Sequence, residues 1–91
     1  MEVIFAPKAI NDIAVWRKSG NKAILNRITM LIKAIQENPF EGIGKPEPLK
    51  HKLSGLWSRR INHEHRIIYE VYNDNQIAIL EIFSLRGHYK D

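Results

Sequence analysis

Apolar and polar positions along this chain follow two periods, and the change falls near its middle. The run "EVIF" at 2–5 predicts a short strand. Pro7 follows where a helix can open, since the first turn has no use for the missing N–H. In "PKAINDIAVWRK", Ile10, Ile13 and Ala14, with Trp16 on the flank, form one apolar face. "SGN" at 19–21 ends that helix and can cap the next. In "KAILNRITMLIKAIQE" the apolar residues are Ile24, Leu25, Ile28, Leu31, Ile32 and Ile35, the stripe of an amphipathic helix. Asn38-Pro39 stops it. The two helices form a hairpin with one greasy side.

A Pro/Gly-rich loop, "NPFEGIGKPEP" at 38–48, separates this half from one of period two. "LWSRRI", "HRIIYEVY" and "QIAILEIFS" read as strands, with a tight turn at Asn73-Asp74-Asn75 between the last two. "IAIL" is nearly continuous apolar, which suits a strand covered on both faces. The predicted order is β-α-α-β-β-β, an α+β fold with two N-terminal helices packed on a twisted, mostly antiparallel sheet. One domain spanning 1–91 is expected from the length.

Composition narrows the function classes. Hydrophobic residues make up 44% and charged residues 26%, as in an ordinary globular chain. No run approaches the roughly 18 apolar residues that span a bilayer, so no membrane partner is expected. With no cysteine, a thiolate nucleophile and thiolate-bound zinc are excluded, and a reducing cytoplasm fits. The net charge of +4 is concentrated: residues 45–66 hold six bases against Glu47 and Glu64, while residues 67–91 hold two bases and four acids. Such a basic stretch suits a polyanion, either nucleic acid or an acidic protein, although solubility alone also explains a charge of this size.

Four features carry candidate chemistry. "HEH" at 63–65 looks like a metal cluster, but on a strand His63 and His65 share a face while Glu64 points away, and no third ligand stands at a recognised spacing. No metal or other cofactor is expected. On the same strand reading, Glu64 and Arg66 fall on one face that continues through Ile68, either as a structural ion pair or as an acid holding an arginine for a phosphate. Glu47 stands between Pro46 and Pro48, which fix the backbone and press it into extended geometry. A stiffly held carboxylate among Lys45, Lys50 and Lys52 is what a general base needs to take the proton of a ribose 2′-OH; the alternative is a stiff turn with an exposed acid. His88, beside Tyr89, is the natural proton donor for a leaving 5′-oxygen, or else a histidine in a frayed tail. Trp57 and Trp16 read as core or interface residues rather than base-stacking platforms.

The stretch "NPFEGIGKPEPLKHKLSGLWSRRINHEHRIIYEV" closely resembles the central signature of the YoeB/Txe toxins, a branch of the RelE-like superfamily, and the resemblance extends from residue 1 to about 89. It implies a microbial-ribonuclease-like fold and a toxin of a type II toxin–antitoxin pair that enters the ribosomal A site and cuts messenger RNA. It implies Glu47 as general base, His88 as general acid, Arg66 as the group that stabilises the phosphorane-like transition state, Glu64 as the residue positioning Arg66, and Tyr89 beside the scissile phosphate. Lys45, Lys50, Arg59 and Arg60 would hold RNA. Expected partners are the ribosome, its bound mRNA, a YefM-like antitoxin with an acidic disordered C-terminal part, and a second copy in a homodimer. The chain departs from the usual pattern at Gly87, at the added Lys90-Asp91 and at His63, where a carboxylate is common. Two other classes stand beside the nuclease: a catalytically silent ribosome- or RNA-binding module acting by occupancy, and a subunit whose basic face serves an acidic protein.

Overall fold

Two helices cross one face of a five-stranded sheet, leaving the opposite face to the charged residues of the central stretch. The computed structural model describes residues 1–72 and 76–84. Strand β1 (Glu2–Phe5) leads into α1 (Pro7–Ser19) and α2 (Lys22–Glu37), followed by β2 (Glu47–Pro48), a 3₁₀ turn at His51–Leu53, β3 (Leu56–Arg60), β4 (His65–Tyr72) and β5 (Gln76–Ser84). The sheet order is β1-β5-β4-β3-β2. All neighbours are antiparallel except β1 and β5, which run parallel with Glu2 opposite Gln76. The α+β class and the helix pair agree with expectation. The strand at 47–48 is additional, and the predicted turn at 73–75 lies outside the described residues.

Local chemistry sets the helix ends. Pro7 opens α1, and Gly20 closes it in the left-handed region at φ 72°, its N–H donating to the Arg17 carbonyl. Asn21 then caps α2, its side-chain oxygen accepting from the Ile24 N–H at 3.1 Å. The inward stripe of α2 is the predicted one: Ile24, Ile28, Leu31 and Ile35 are buried, with Leu25 and Ile32 on its flanks.

In α1 the face is rotated from the predicted one. Ala9 is fully buried, Asp12, Ile13 and Trp16 are half-buried, and Ile10 and Ala14 face outward, Ile10 at 58% exposure. The physical reason lies on the sheet. Asp12 accepts from the Ile82 N–H of β5 at 3.0 Å, while Ala9 gives the close approach that lets the short carboxylate arrive. A polar residue on the inner stripe is invisible to apolar periodicity.

The helix-covered face of the sheet carries Ile67, Tyr69, Ile77, Ile79 and Ile82, which join Ile61 and the buried residues of α1 and α2 in one core. Full burial of an isoleucine contributes about 1.5–3 kcal/mol. Ile77, Ala78 and Ile79 are all buried, so this part of β5 is covered on both faces as its sequence predicts. Cross-strand register defines the other face: Glu47 pairs with Ser58, Ser58 with Ile68, and Arg60 with Arg66. These five residues therefore lie on the side away from the helices.

Candidate active site

Glu47 reaches this face because the loop before it is held from below. Arg59, although next to Arg60, points to the opposite side of β3 and is fully buried. Its guanidinium donates to the carbonyls of Asn38, Glu41 and Ile43, and its Nε donates to the Tyr69 hydroxyl at 3.1 Å. Tyr69 in turn donates to the Pro39 carbonyl at 2.7 Å. Burial raises the Tyr69 pKa above the ordinary phenol value, while the Arg59 hydrogen bond and charge act against that rise. Arg59 was expected to hold RNA, and the structure corrects that role. Its donors are spent on the 38–44 loop, and burial keeps it from any ligand.

Glycine finishes the loop. At Gly44 φ is +84°, and a Cβ would stand 2.7 Å from Leu31 Cδ2 and 3.1 Å from the Arg60 carbonyl oxygen. That carbonyl approach accompanies a backbone bond from the Arg60 N–H to the Gly44 oxygen at 2.7 Å. Lys45, next in the chain, takes a left-handed φ of 50°, as does His51 at 55°. For side-chain-bearing residues this geometry costs about 1–2 kcal/mol each. The two strained positions bracket Pro46-Glu47-Pro48, which is extended as its prolines require and pairs as an edge strand, the place in a sheet where proline is tolerated.

On the face so built, Glu47 sits across from Ser58, and Arg66 lies one strand further on, paired with Arg60. Burial and then the like charge of Arg60 lower the Arg66 pKa, while the Glu47 carboxylate pulls it back up. Arg66 stays cationic near neutral pH all the same. The opposing influence of Glu47 shows that the acid and the guanidinium share one electrostatic environment. Ser58 is 1% exposed, and its Oγ has no hydrogen-bond partner among the described residues. The sequence reading missed Ser58. Its signal is the alternation of β3, which places it on the Arg60 side once Glu47 is recognised as a strand residue.

Lys45, Lys50 and Arg60 are exposed around this face, as RNA-holding residues need to be. Glu64 departs from expectation. It is exposed in a bend before β4 rather than on the strand, its N–H donating to Asn62 Oδ1 at 2.9 Å, so period-two alternation does not align it with Arg66. The same Asn62 oxygen accepts from the His65 N–H at 2.8 Å, and this turn chemistry delays the strand. His63 lies in the bend, and His65 packs edge-on against Trp16 with ring centroids 4.8 Å apart. No group of three or more His, Cys, Asp or Glu among the described residues could hold a metal ion. Trp57 packs against the core and tilts onto Phe40 at 5.0 Å between centroids. His88 and Tyr89 lie outside the described residues.

Comparison with known proteins places this arrangement in a family. A profile of the YoeB-like toxins of bacterial type II toxin–antitoxin systems matches residues 5–89. Toxin YoeB of Synechocystis is 48% identical over 90 residues, covering 99% of each chain. The structure of the YoeB dimer from Staphylococcus aureus superposes with a TM-score of 0.83 at 42% identity, covering 98% of each chain. The toxin in the Staphylococcus aureus YoeB–YefM complex does so with a TM-score of 0.81 at 43% identity, again over 98% of each. Both the matched length and the shared sheet-and-helix framework lead to one conclusion: the chain belongs to the YoeB-like toxin family and is a toxin of a toxin–antitoxin system.

Proposed function

We propose that this toxin is a metal-independent endoribonuclease, a single domain over 1–91, that cuts messenger RNA in the ribosomal A site and so arrests translation in the cytoplasm. The observation that carries the reading is the placement of Glu47 and Arg66 on one sheet face, with the charge of one acting on the other.

Glu47 takes the proton from a ribose 2′-OH, whose oxygen attacks the adjacent phosphorus in line with the departing 5′-oxygen. Charge developing on the phosphoryl oxygens is met by Arg66, with Arg60 beside it. His88 gives a proton to the leaving 5′-oxygen, Tyr89 lies against the scissile phosphate, and Glu64, in the bend that precedes β4, orients Arg66. The products are a 2′,3′-cyclic phosphate and a free 5′-OH. DNA is not a substrate because it lacks the nucleophile. Each acid–base group supplies about 10²–10⁴-fold, so a ribosome that presents the linkage in line adds what a carboxylate base lacks. Lys45, Lys50 and Arg60 hold the strand. A YefM-like antitoxin neutralises the basic face, and the toxin assembles as a homodimer; among the similar structures are a YoeB–YefM complex and a YoeB dimer.

The test is cleavage of a translated message on programmed ribosomes, read by toeprinting, with wild type and Glu47→Gln. Wild type cuts and the variant does not. A variant that cuts as well as wild type overturns the general base. Arrest of translation without any cut by wild type assigns the toxin to blockade by occupancy.

A further inference from the structure

Beside the Glu47–Arg66 face, and sharing Lys45 and Arg60 with it, a cleft of about 430 Å³ opens between α2 and the turn after β3. Arg27, Lys45, Arg60, Asn62 and His63 line it together with Gly44 and Ile61. Three permanent cations line it and no carboxylate does. The cations come from three separate parts of the chain, so their convergence is a property of the fold. Arg27 is fixed by its Nε, which donates to the Ile61 carbonyl at 3.3 Å. That bond leaves the terminal guanidinium nitrogens as a fork with no partner among the described residues. Lys45 is delivered by the left-handed backbone at φ 50° immediately after Gly44. Clustering like charges is unfavourable unless an anion joins them, and a fork plus a mobile ammonium is a combination that recognises phosphate.

We propose that this cleft is a second phosphate subsite, which takes an RNA phosphodiester next to the one placed for cleavage. Arg60 stands at the junction: it pairs with Arg66 on the cleavage side, where its charge acts on Arg66, and it also lines the cleft. A strand passing over Arg60 therefore meets Arg66 in one direction and Arg27, Lys45 and His63 in the other. The proposal rests on the nuclease reading for its ligand, but binding at the cleft needs no chemistry.

The probe is a 2′-O-methyl octanucleotide, which has no free 2′-OH and is bound without being cut. Its affinity is titrated against salt for wild type, Arg27→Gln, Arg27→Lys and Lys45→Gln, with thermal unfolding as a control on the fold. Losing one phosphate contact lowers the slope of log K against log salt by about 0.7 for a single strand. Arg27→Gln and Lys45→Gln each show that decrease, and Arg27→Lys, which keeps the charge, restores the slope. The same titration against vacant ribosomes reads ribosomal RNA as the source of the phosphate, and a decrease in either arm supports the subsite. Unchanged slopes in both arms for both glutamine variants overturn it and leave the cleft to an acidic protein partner. Because the probe is uncleavable, that outcome is separate from absence of cleavage by wild type, which strikes the nuclease reading alone.

Discussion

Arg59 on β3 and Tyr69 on β4 form a buried pair, 3.1 Å from Nε to hydroxyl, that holds four carbonyls of the 38–44 loop. The loop leaves much of its apolar surface, on Phe40 and Ile43, exposed, so these hydrogen bonds set its path and thereby the position of Lys45 and Glu47. Tyr69→Phe removes the donor to Pro39 and the acceptor for Arg59 without changing shape. An unmet buried polar group costs about 1–3 kcal/mol. Urea unfolding should show a loss of that order. Arg59→Lys should also destabilise the fold and reduce cleavage, yet leave the salt slope of RNA binding unchanged, because Arg59 touches no RNA.

Alkaline pH tests the same pair through linkage. Burial raises the folded-state pKa of Tyr69 above the ordinary value near 10. Below that value both states are protonated, and the contribution of Tyr69 to stability is fully present. As pH rises from there toward the folded pKa, only the unfolded state loses its proton, so stability falls. Tyr72, raised chiefly by its hydrogen bond to Glu70, adds a background of the same sign. Denaturation curves of wild type and Tyr69→Phe between neutral pH and about pH 11 isolate the Tyr69 share as the difference in slope.

Gly44→Ala should be among the most damaging single changes. The left-handed backbone costs an alanine about 1–2 kcal/mol, and the new methyl lies 2.7 Å from Leu31 Cδ2 and 3.1 Å from a backbone oxygen. Leu31 can turn, but the oxygen belongs to strand backbone that the Arg60 N–H ties to Gly44 itself. A lowered midpoint in thermal unfolding, larger than that of Gly20→Ala at an open helix end, is the expected result.

Ser58→Ala should not destabilise the protein, unlike most changes at buried positions. The hydroxyl is buried and has no partner among the described residues, so removing it takes away an unmet polar group. Stability within about 0.5 kcal/mol of wild type, or above it, is expected by chemical denaturation.

Arg66→Lys should lower the cleavage rate by about 10²–10³-fold, since an ammonium does not reproduce a planar fork aimed at phosphoryl oxygens. Arg60→Ala should act mainly on binding and reduce the salt slope by about 0.7. Single-turnover cleavage with binding measured in parallel separates the two.

Much of this architecture was legible in the sequence. The α2 stripe, the caps at 19–21 and the three long strands all rest on local periodicity or turn chemistry, which a sequence displays directly. What escaped depends on contacts across the fold. Asp12 sits on the inner side of α1 because an N–H some 70 residues away needs an acceptor. Arg59 and Arg60 look alike in a basic run, and alternation says only that one must turn inward. Which one does is decided by carbonyls 16 to 21 residues upstream. Glu64 was placed one step too early on a strand because Asn62 holds the turn open. For the site, the rigid presentation of Glu47 was readable from its two prolines, whereas its pairing with Ser58 and the convergence on Arg27 were not.

The parallel pairing of β1 with β5 brings Glu2 beside Gln76. A ribosome making this chain therefore produces an edge segment that waits for its neighbour until residues 76–79 have emerged, and the isoleucine core, which needs Ile77, Ile79 and Ile82, cannot close before then.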